Sequence, residues 1–349
     1  MNIQTTDAMG LYTQMVVDAY REETSTSKFL ASFFPQRTPP TSALELGIAV
    51  RRGSKKIAVD VSRGTDGNRN TFSKITQKLF IPPYFREYFD QTSLDHYDKL
   101  SSATTVDDGI FAQFVMDSAE KMRELVNKID RTYEKYRADI LTTGILTFSM
   151  GAGQIDFKRK AGSLVDLAGS GGYWVSNNDL YAQLQAGAEW LRTNGKVSDY
   201  RFTVILGETA ISHLKKNTVF LANQNMFNLK LDNIQTPQAR AEGGVFHGTL
   251  TAGAYMFDLW TYPETYDNEA GTATPYIDAK YGIMLPQNPH FTMAFAGIPQ
   301  LPGRPPLVGD FIFTEYTDEK KRTREYHVES AGMPIPTAID QVYTFKAVA

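Results

Sequence analysis

From Asp107 to about Thr143 the chain has no proline, and apolar residues return every three or four positions at Phe111, Phe114, Val115, Met122, Leu125, Val126, Ile129, Tyr133, Tyr136 and Ile140. Between them stand Glu120, Lys121, Arg123, Glu124, Lys128, Asp130, Arg131, Glu134, Lys135 and Arg137. This pattern predicts an amphipathic helix roughly 45 to 50 Å long, closed by the glycine of Thr142-Thr-Gly144. Few compact domains need a helix of that length, so the rest of the chain must be arranged around it. The charges read as a solvated face, in which Glu124 and Lys128 make the favourable i,i+4 pair, about 0.2 to 0.5 kcal/mol. The apolar positions do not hold a strict heptad, which argues against a coiled coil.

Ahead of the helix, residues 51–70 put six positive charges, Arg51, Arg52, Lys55, Lys56, Arg63 and Arg69, into a stretch with three glycines. Ile57, Val59 and Val61 alternate with Ala58, Asp60 and Ser62 in the two-residue period of a strand. Gly64 to Asn70 is a run of turn formers, and Thr71 to Ile81 is again rich in β-branched and aromatic residues before Pro82-Pro83. The expectation is a long hairpin with a polar tip. Two strands alone are marginal in water, so the hairpin needs a partner surface. Further upstream, Thr6 or Asp7 could cap a short helix bearing Met9, Tyr12, Val16 and Tyr20. The aromatic cluster Lys28-Phe-Leu-Ala-Ser-Phe-Phe-Pro35, followed by Pro39-Pro40, pins an arm either against another body or onto its own domain.

Beyond Gly144 the pattern changes to alternating strands, turns and short helices. Strands are expected at Gly153–Lys158, Arg201–Leu206, Gly253–Tyr262, Tyr276–Leu285, Phe291–Ala296, Arg324–Glu329 and Gln341–Lys346, and helices at Asp179–Thr193 and Glu208–Lys216. Pro334-Ile-Pro336 reads as a bend. The class is α+β.

Composition restricts the function. Among 349 residues, Lys and Arg total 36 against 39 Asp and Glu, a formal charge of -3, so this is not a markedly basic, phosphate-neutralising binder. There is no cysteine, which removes disulfides and thiolate chemistry. No signal peptide and no apolar run of membrane-spanning length stands out, so the expected chain is soluble, suits a reducing cytoplasm and has no membrane partner. No G-x-x-x-x-G-K-[ST], G-x-G-x-x-G or G-x-S-x-G occurs, and Gly169-Ser-Gly-Gly-Tyr-Trp174 reads as a turn. His96, His213, His247, His290 and His327 are scattered, and Asp95-His-Tyr-Asp98 is too local to define a metal site. Carboxylate pairs such as Glu87 with Asp90, or Asp107 with Asp108, could do acid-base chemistry only if they share a cleft. Neither cofactor, metal nor catalytic residue is indicated.

Four stretches carry a resemblance: Phe29-Leu-Ala-Ser-Phe-Phe34 followed by Thr41 and Leu46; Glu134-x-x-x-Ala138-x-x-Leu141-x-Thr143-Gly144; Leu259-Trp-Thr-Tyr-Pro-Glu-Thr-Tyr266 before Gly271 and Leu285-Pro286; and Glu329-Ser-Ala-Gly-Met-Pro-Ile-Pro336. In this order they resemble the major capsid proteins of tailed bacteriophages, in particular the lambda-like family with the Hong Kong 97 fold. The resemblance implies an N-terminal arm at 1–46, an extended loop at 47–85, a peripheral domain at 86–174 and 301–349 containing a spine helix at 107–143, and an axial domain at 175–300. It implies a shell protein of the virion, assembled in the host cytoplasm from pentamers and hexamers with scaffold, portal and a decoration protein as partners. DNA would be held by confinement. Intersubunit contacts would fall on Arg51, Arg52, Lys55, Lys56, Arg63, Arg69, Phe29, Phe33 and Phe34. Some family members crosslink a loop lysine to an asparagine; Lys55, Lys56, Lys74 and Lys78 qualify only by position. Two alternatives remain, the shell of a cellular encapsulin-type nanocompartment and an enzyme with an unrecognised carboxylate-based site.

Overall fold

A computed structural model describes residues 27–50, 76–92, 108–148, 153–169, 172–174, 178–226, 233–239, 242–268, 270–300, 302–318 and 321–349. The expected N-terminal helix, the strand around 57–61 and the 64–70 tip lie outside them.

A 3-10 turn at Phe29–Phe33 precedes strands β1 (Leu46–Val50), β2 (Thr76–Phe80) and β3 (Phe85–Thr92), which lead to helix α1 (Asp108–Thr142). After α1 come β4 (Ile145–Thr147), β5 (Gln154–Asp156), β6 (Leu164–Asp166), α2 (Leu180–Asn194), β7 (Arg201–Leu206), α3 (Glu208–Lys216) and α4 (Thr218–Met226). Then follow β8 (Asn233–Ala239), β9 (Val245–Ala252), β10 (Tyr255–Thr261), β11 (Thr265–Asp267), β12 (Ala273–Pro275), β13 (Tyr281–Pro286) and β14 (Phe291–Phe295). The chain closes with β15 (Ile312–Asp318), β16 (Thr323–Ser330), β17 (Gly332–Pro336) and β18 (Tyr343–Lys346).

The 35 residues of α1 span about 52 Å. Its buried positions Ala119, Met122, Val126, Ile129, Tyr133, Tyr136 and Ile140 alternate by three and four, so the covered stripe does hold a heptad spacing. It forms no coiled coil, because the partners on that stripe are β3, β16, β17, β4 and the 3-10 turn. The expected Glu124–Lys128 pair does not form either. Glu124 takes Lys121 at 2.7 Å, and Lys128 reaches off the helix to Glu87 at 2.8 Å. The helix stops as expected at Gly144, which adopts φ 75° and donates its N–H to the Ile140 carbonyl at 3.0 Å.

A seven-stranded mixed sheet in the order β6-β18-β13-β7-β10-β9-β8 separates two cores. Phe202, Val204 and Leu206 of β7, with Met284 of β13, pack on the side of α2, α3 and α4. Ile205, Ile283 and Leu285 point the other way, into the core around α1. Burial on both faces explains why β7 and β13 read as continuous apolar runs rather than alternating ones. Asp179 caps α2 by accepting from the N–H groups of Tyr181 and Ala182 at 3.0 and 3.2 Å.

Two readings from sequence are corrected. Gly332–Pro336 is not a bend but strand β17, paired with β14 through Met293↔Pro334 and Phe291↔Pro336; in a two-stranded sheet each proline needs to donate to no second neighbour. The strand expected from Tyr276 starts at Tyr281, because Asp278 closes a turn by accepting from Lys280 N–H at 2.8 Å. The sequence reading does not foresee β1, β3, β4, β6, β8, β9, β11, β12, β15 or α4. Among the described residues no helix is long and apolar enough to cross a membrane.

Candidate assembly surfaces

The arm segment from Ser27 to Pro35 is seated on its own chain. The Phe29 ring lies 5.3 Å from Trp260 and 5.5 Å from Tyr262, and Phe34 stacks on Phe291 at 5.0 Å. Gly244 has no side chain because a Cβ there would run into the Phe29 ring. Phe29, Phe33 and Phe34 are all buried. Their rings are covered by residues of their own chain, the second of the two placements the aromatic cluster allows.

The polar anchor of the arm is Glu134, which is 1% exposed on α1. Its Oε1 accepts the Leu30 N–H at 2.7 Å and the Tyr262 hydroxyl at 3.2 Å, while Arg137 Nη1 donates to Oε2 at 2.9 Å. Burial pushes the Glu134 pKa up, against the pull of Arg137 and of the other donors. Lys28 adds an ion pair to Asp130 at 2.6 Å, and Ser27 Oγ lies 2.6 Å from the Tyr262 hydroxyl. The sequence singled out both Glu134 and Tyr262 within quoted stretches, but nothing in their spacing showed that they meet.

A second joint ties the C-terminal end of α1 to the last strand. Arg159 donates to the carbonyls of Leu141 (3.2 Å), Thr142 (3.0 Å), Ser163 (3.1 Å) and Val342 (3.3 Å), and to the Thr344 hydroxyl at 3.1 Å. A cation at a helix C-terminus meets both the orphan carbonyls and the negative end of the dipole. Burial lowers its pKa to about 10, with Asp340 opposing.

The extended loop is described only at its base. β1 and β2 pair antiparallel from Leu46↔Phe80 to Val50↔Thr76, with Lys78 opposite Ile48. Arg51, Arg52, Lys55, Lys56, Arg63, Arg69 and Lys74 lie outside the described residues.

The third surface is the sheet β15-β16-β3. Its inner face lays Phe85, Phe89 and Val328 on the α1 core, with Phe89 stacked on Tyr326 at 5.2 Å. Its outer face carries exposed Tyr88 and Tyr316 beside His327, and exposed Tyr84 sits at its edge. Burial and the neighbouring Glu329 push the Tyr84 pKa up to about 12.

Among the described residues, those considered for catalysis do not converge. Glu87 and Asp90 stand an odd number of positions apart on β3 and so point to opposite faces. His213 Nδ1 sits 3.0 Å from the Trp174 carbonyl and His247 Nε2 lies 2.9 Å from the Thr261 hydroxyl, both structural placements. Among the described residues no three His, Asp or Glu side chains gather as metal ligands. Asp95, His96 and Asp98 lie outside them.

A long helix wrapped by a small sheet and joined to a two-sided mixed sheet is the architecture that the sequence resemblance implied. The family profile of phage major capsid protein E matches residues 19–347, and the chain belongs to that family. In structure it is similar to the putative capsid protein of a prophage in E. coli CFT073, at 15% identity and a TM-score of 0.65, covering 99% of this chain and 100% of that one. It is also similar to a phage-related protein from Bordetella bronchiseptica RB50, at 10% identity and a TM-score of 0.53 over 99% and 98% of the two chains. No curated protein sequence matches it. The fold is the Hong Kong 97 type, and the chain is a structural major capsid protein of the virion.

Proposed function

We propose that this chain assembles through pentamers and hexamers into an icosahedral head that encloses DNA by confinement and has no catalytic step of its own. Assembly would take place in the host cytoplasm, with scaffold, portal and a decoration protein as partners. The division into arm 1–46, extended loop 47–85, peripheral domain 86–174 with 301–349 and axial domain 175–300 is part of the same reading. Within the fold α1 runs through only one of the two cores, while β6 and β18 of the peripheral range share the central sheet with β7 to β10 and β13 of the axial range.

The observation that carries the reading is the β1–β2 pair, a two-stranded sheet that no third described strand joins. Such a hairpin needs a surface beyond it. Arg51, Arg52, Lys55, Lys56, Arg63 and Arg69 on the intervening loop are proposed to meet acidic groups of a neighbouring subunit, each exposed pair contributing at most about 1 kcal/mol but repeated around the shell. Deleting Gly64 to Asn70 should leave a subunit with wild-type thermal unfolding that fails to form closed particles in electron micrographs. A deletion that abolishes folding, or that assembles normally, would refute the role given to the loop.

A further inference from the structure

The registers of β15-β16-β3 arrange the outward side chains in rows. Ile312, Glu329 and Arg86 form one row; Thr314, His327 and Tyr88 the next; Tyr316, Glu325 and Asp90 the third. In the first two rows the charged and polar groups answer one another. Arg86 Nε lies 3.2 Å from Glu329 Oε1 and donates to His327 Nδ1 at 3.2 Å, and the His327 ring is 5.0 Å from both Tyr88 and Tyr316. The third row is not balanced. Glu325 and Asp90 are direct cross-strand neighbours of like charge, an arrangement that destabilises a sheet unless a cation joins it. Glu325 Oε2 has the His327 Nε2 at 3.1 Å, whereas Asp90 has no hydrogen bond or ion pair among the described residues. Tyr88 and Tyr316, 58% and 45% exposed, rim this acidic spot. The His327 ring, 3% exposed, fills the space between the two tyrosine rings, and the Arg86 guanidinium lies 5.6 Å from the Tyr316 ring centre, so the carboxylates are open to a further guanidinium at the exposed Asp90.

A complementary feature stands elsewhere on the same chain. Ile298 and Leu307 exchange both backbone hydrogen bonds at 2.9 Å and pin the base of a loop that presents Gly303-Arg304-Pro305-Pro306, all exposed. The prolines fix φ and hold the tip extended, so docking costs it little conformational entropy. Arg304 has no partner among the described residues. Neither feature is satisfied among the described residues, and they are different patches, which is the condition for a heterologous contact that propagates into rings and closed shells.

We propose that the Arg304-Pro305-Pro306 loop of one copy docks on the outward face of β15-β16-β3 of a second copy, with Arg304 meeting the exposed Asp90 and its cross-strand neighbour Glu325. This contact rests on the shell reading and names one of its interfaces. In the full-length chain, Arg304→Glu and Asp90→Arg should each raise the subunit concentration needed for particle formation by about tenfold or more. Both side chains are exposed, so thermal unfolding of the unassembled subunit should stay unchanged. The chain carrying both exchanges restores the charge pair at every contact and should assemble at the wild-type concentration. Single variants that assemble like wild type, or a double variant no better than the singles, overturn the proposal. Because the chain has no cysteine, Arg304→Cys combined with Tyr88→Cys gives a second readout. Oxidised particles should yield ladders of disulfide-linked chains while dilute subunits stay monomeric; monomers alone from oxidised particles also overturn it. A wild-type chain that forms no particles with its scaffold would remove the shell reading and this contact with it, and so separates that failure from a misplaced contact.

Discussion

Glu134→Ala should be among the most damaging single substitutions in the subunit. It leaves Arg137, itself 7% exposed, without the carboxylate that faces it at 2.9 Å, and it strips the Leu30 N–H of its acceptor. Removing one partner of a buried ion pair costs about 3 to 5 kcal/mol, and an orphaned buried amide about 1 to 3 kcal/mol. The two losses share one site and will not add fully, so about 4 to 6 kcal/mol is expected against a total stability of about 5 to 15 kcal/mol. Glu134→Leu combined with Arg137→Met removes both charges and should cost only about 1 to 3 kcal/mol, the share of the Leu30 amide. Urea unfolding of the unassembled subunit, followed by tryptophan fluorescence, measures both, and Trp260 beside Phe29 reports whether the arm is still seated. A cost below about 1 kcal/mol for Glu134→Ala, or a double variant as damaged as the single one, would refute the view that Glu134 anchors the arm as a paired buried charge.

Arg159→Met should cost about 3 to 5 kcal/mol by orphaning carbonyls at the end of α1 and on Val342, and should speed amide exchange in β18 before the rest of the sheet; uniform exchange would contradict its role as a joint. Arg159→Lys should recover little of this, since one ammonium cannot reach acceptors spread over three segments. The subunit should also be labile to alkali. Burial raises the pKa of Tyr133, Tyr262, Tyr276 and Tyr343, and that of Tyr136 to about 12, so each keeps its proton when folded after the unfolded chain has lost it near 10. The stability they contribute is present below pH 10 and is lost above it, by at most about 1.4 kcal/mol per pH unit for each tyrosine. Arg159, lowered to about 10 from 12.5, works in the opposite direction but is a single group. Unfolding and phenolate absorbance should therefore rise together between pH 10 and 12, and tyrosine ionisation without unfolding would show that the burial assigned here is wrong.

Elements with a strong local period were legible in the sequence. The α1 stripe, the helical spacing of α2 and the apolar run of β7 each declare themselves within a few residues, and their bounds match to within one or two positions. What stayed hidden depends on partners distant in sequence. β17 looks like a bend because two prolines forbid the usual ladder, and only the pairing with β14 makes a strand of it. β3 and β15 carry mixed polar and aromatic residues whose alternation has meaning only once β16 lies between them. The Glu134 anchor joins residues more than 100 positions apart, Leu30 and Tyr262 on either side, and no spacing rule reports such a meeting. Phe29, Phe33 and Phe34 illustrate the same limit: a prolines-flanked aromatic cluster signals a pinned arm, but its sequence does not say to which body.

The free strand edges indicate how copies of such a subunit can meet. The seven-stranded sheet ends in β6, only three residues long, and in β8, which contains Pro237 and has an irregular register between Ile234 and Gln238. The smaller sheet ends in β15 and β3, which place Glu315, Asp318, Arg86, Glu87 and Asp90 along its borders. Short length, proline, irregular pairing and charge are the devices that stop one strand edge from adding indiscriminately to another. A subunit that must reach high local concentration without forming fibres needs these edges blocked. Specific association is then left to side-chain faces and projecting loops, whose complementarity can be directional and can close. On this argument, charge exchange at either Asp90 or Arg304 alone should alter assembly, whereas further charge added along the β8 edge should leave it unchanged.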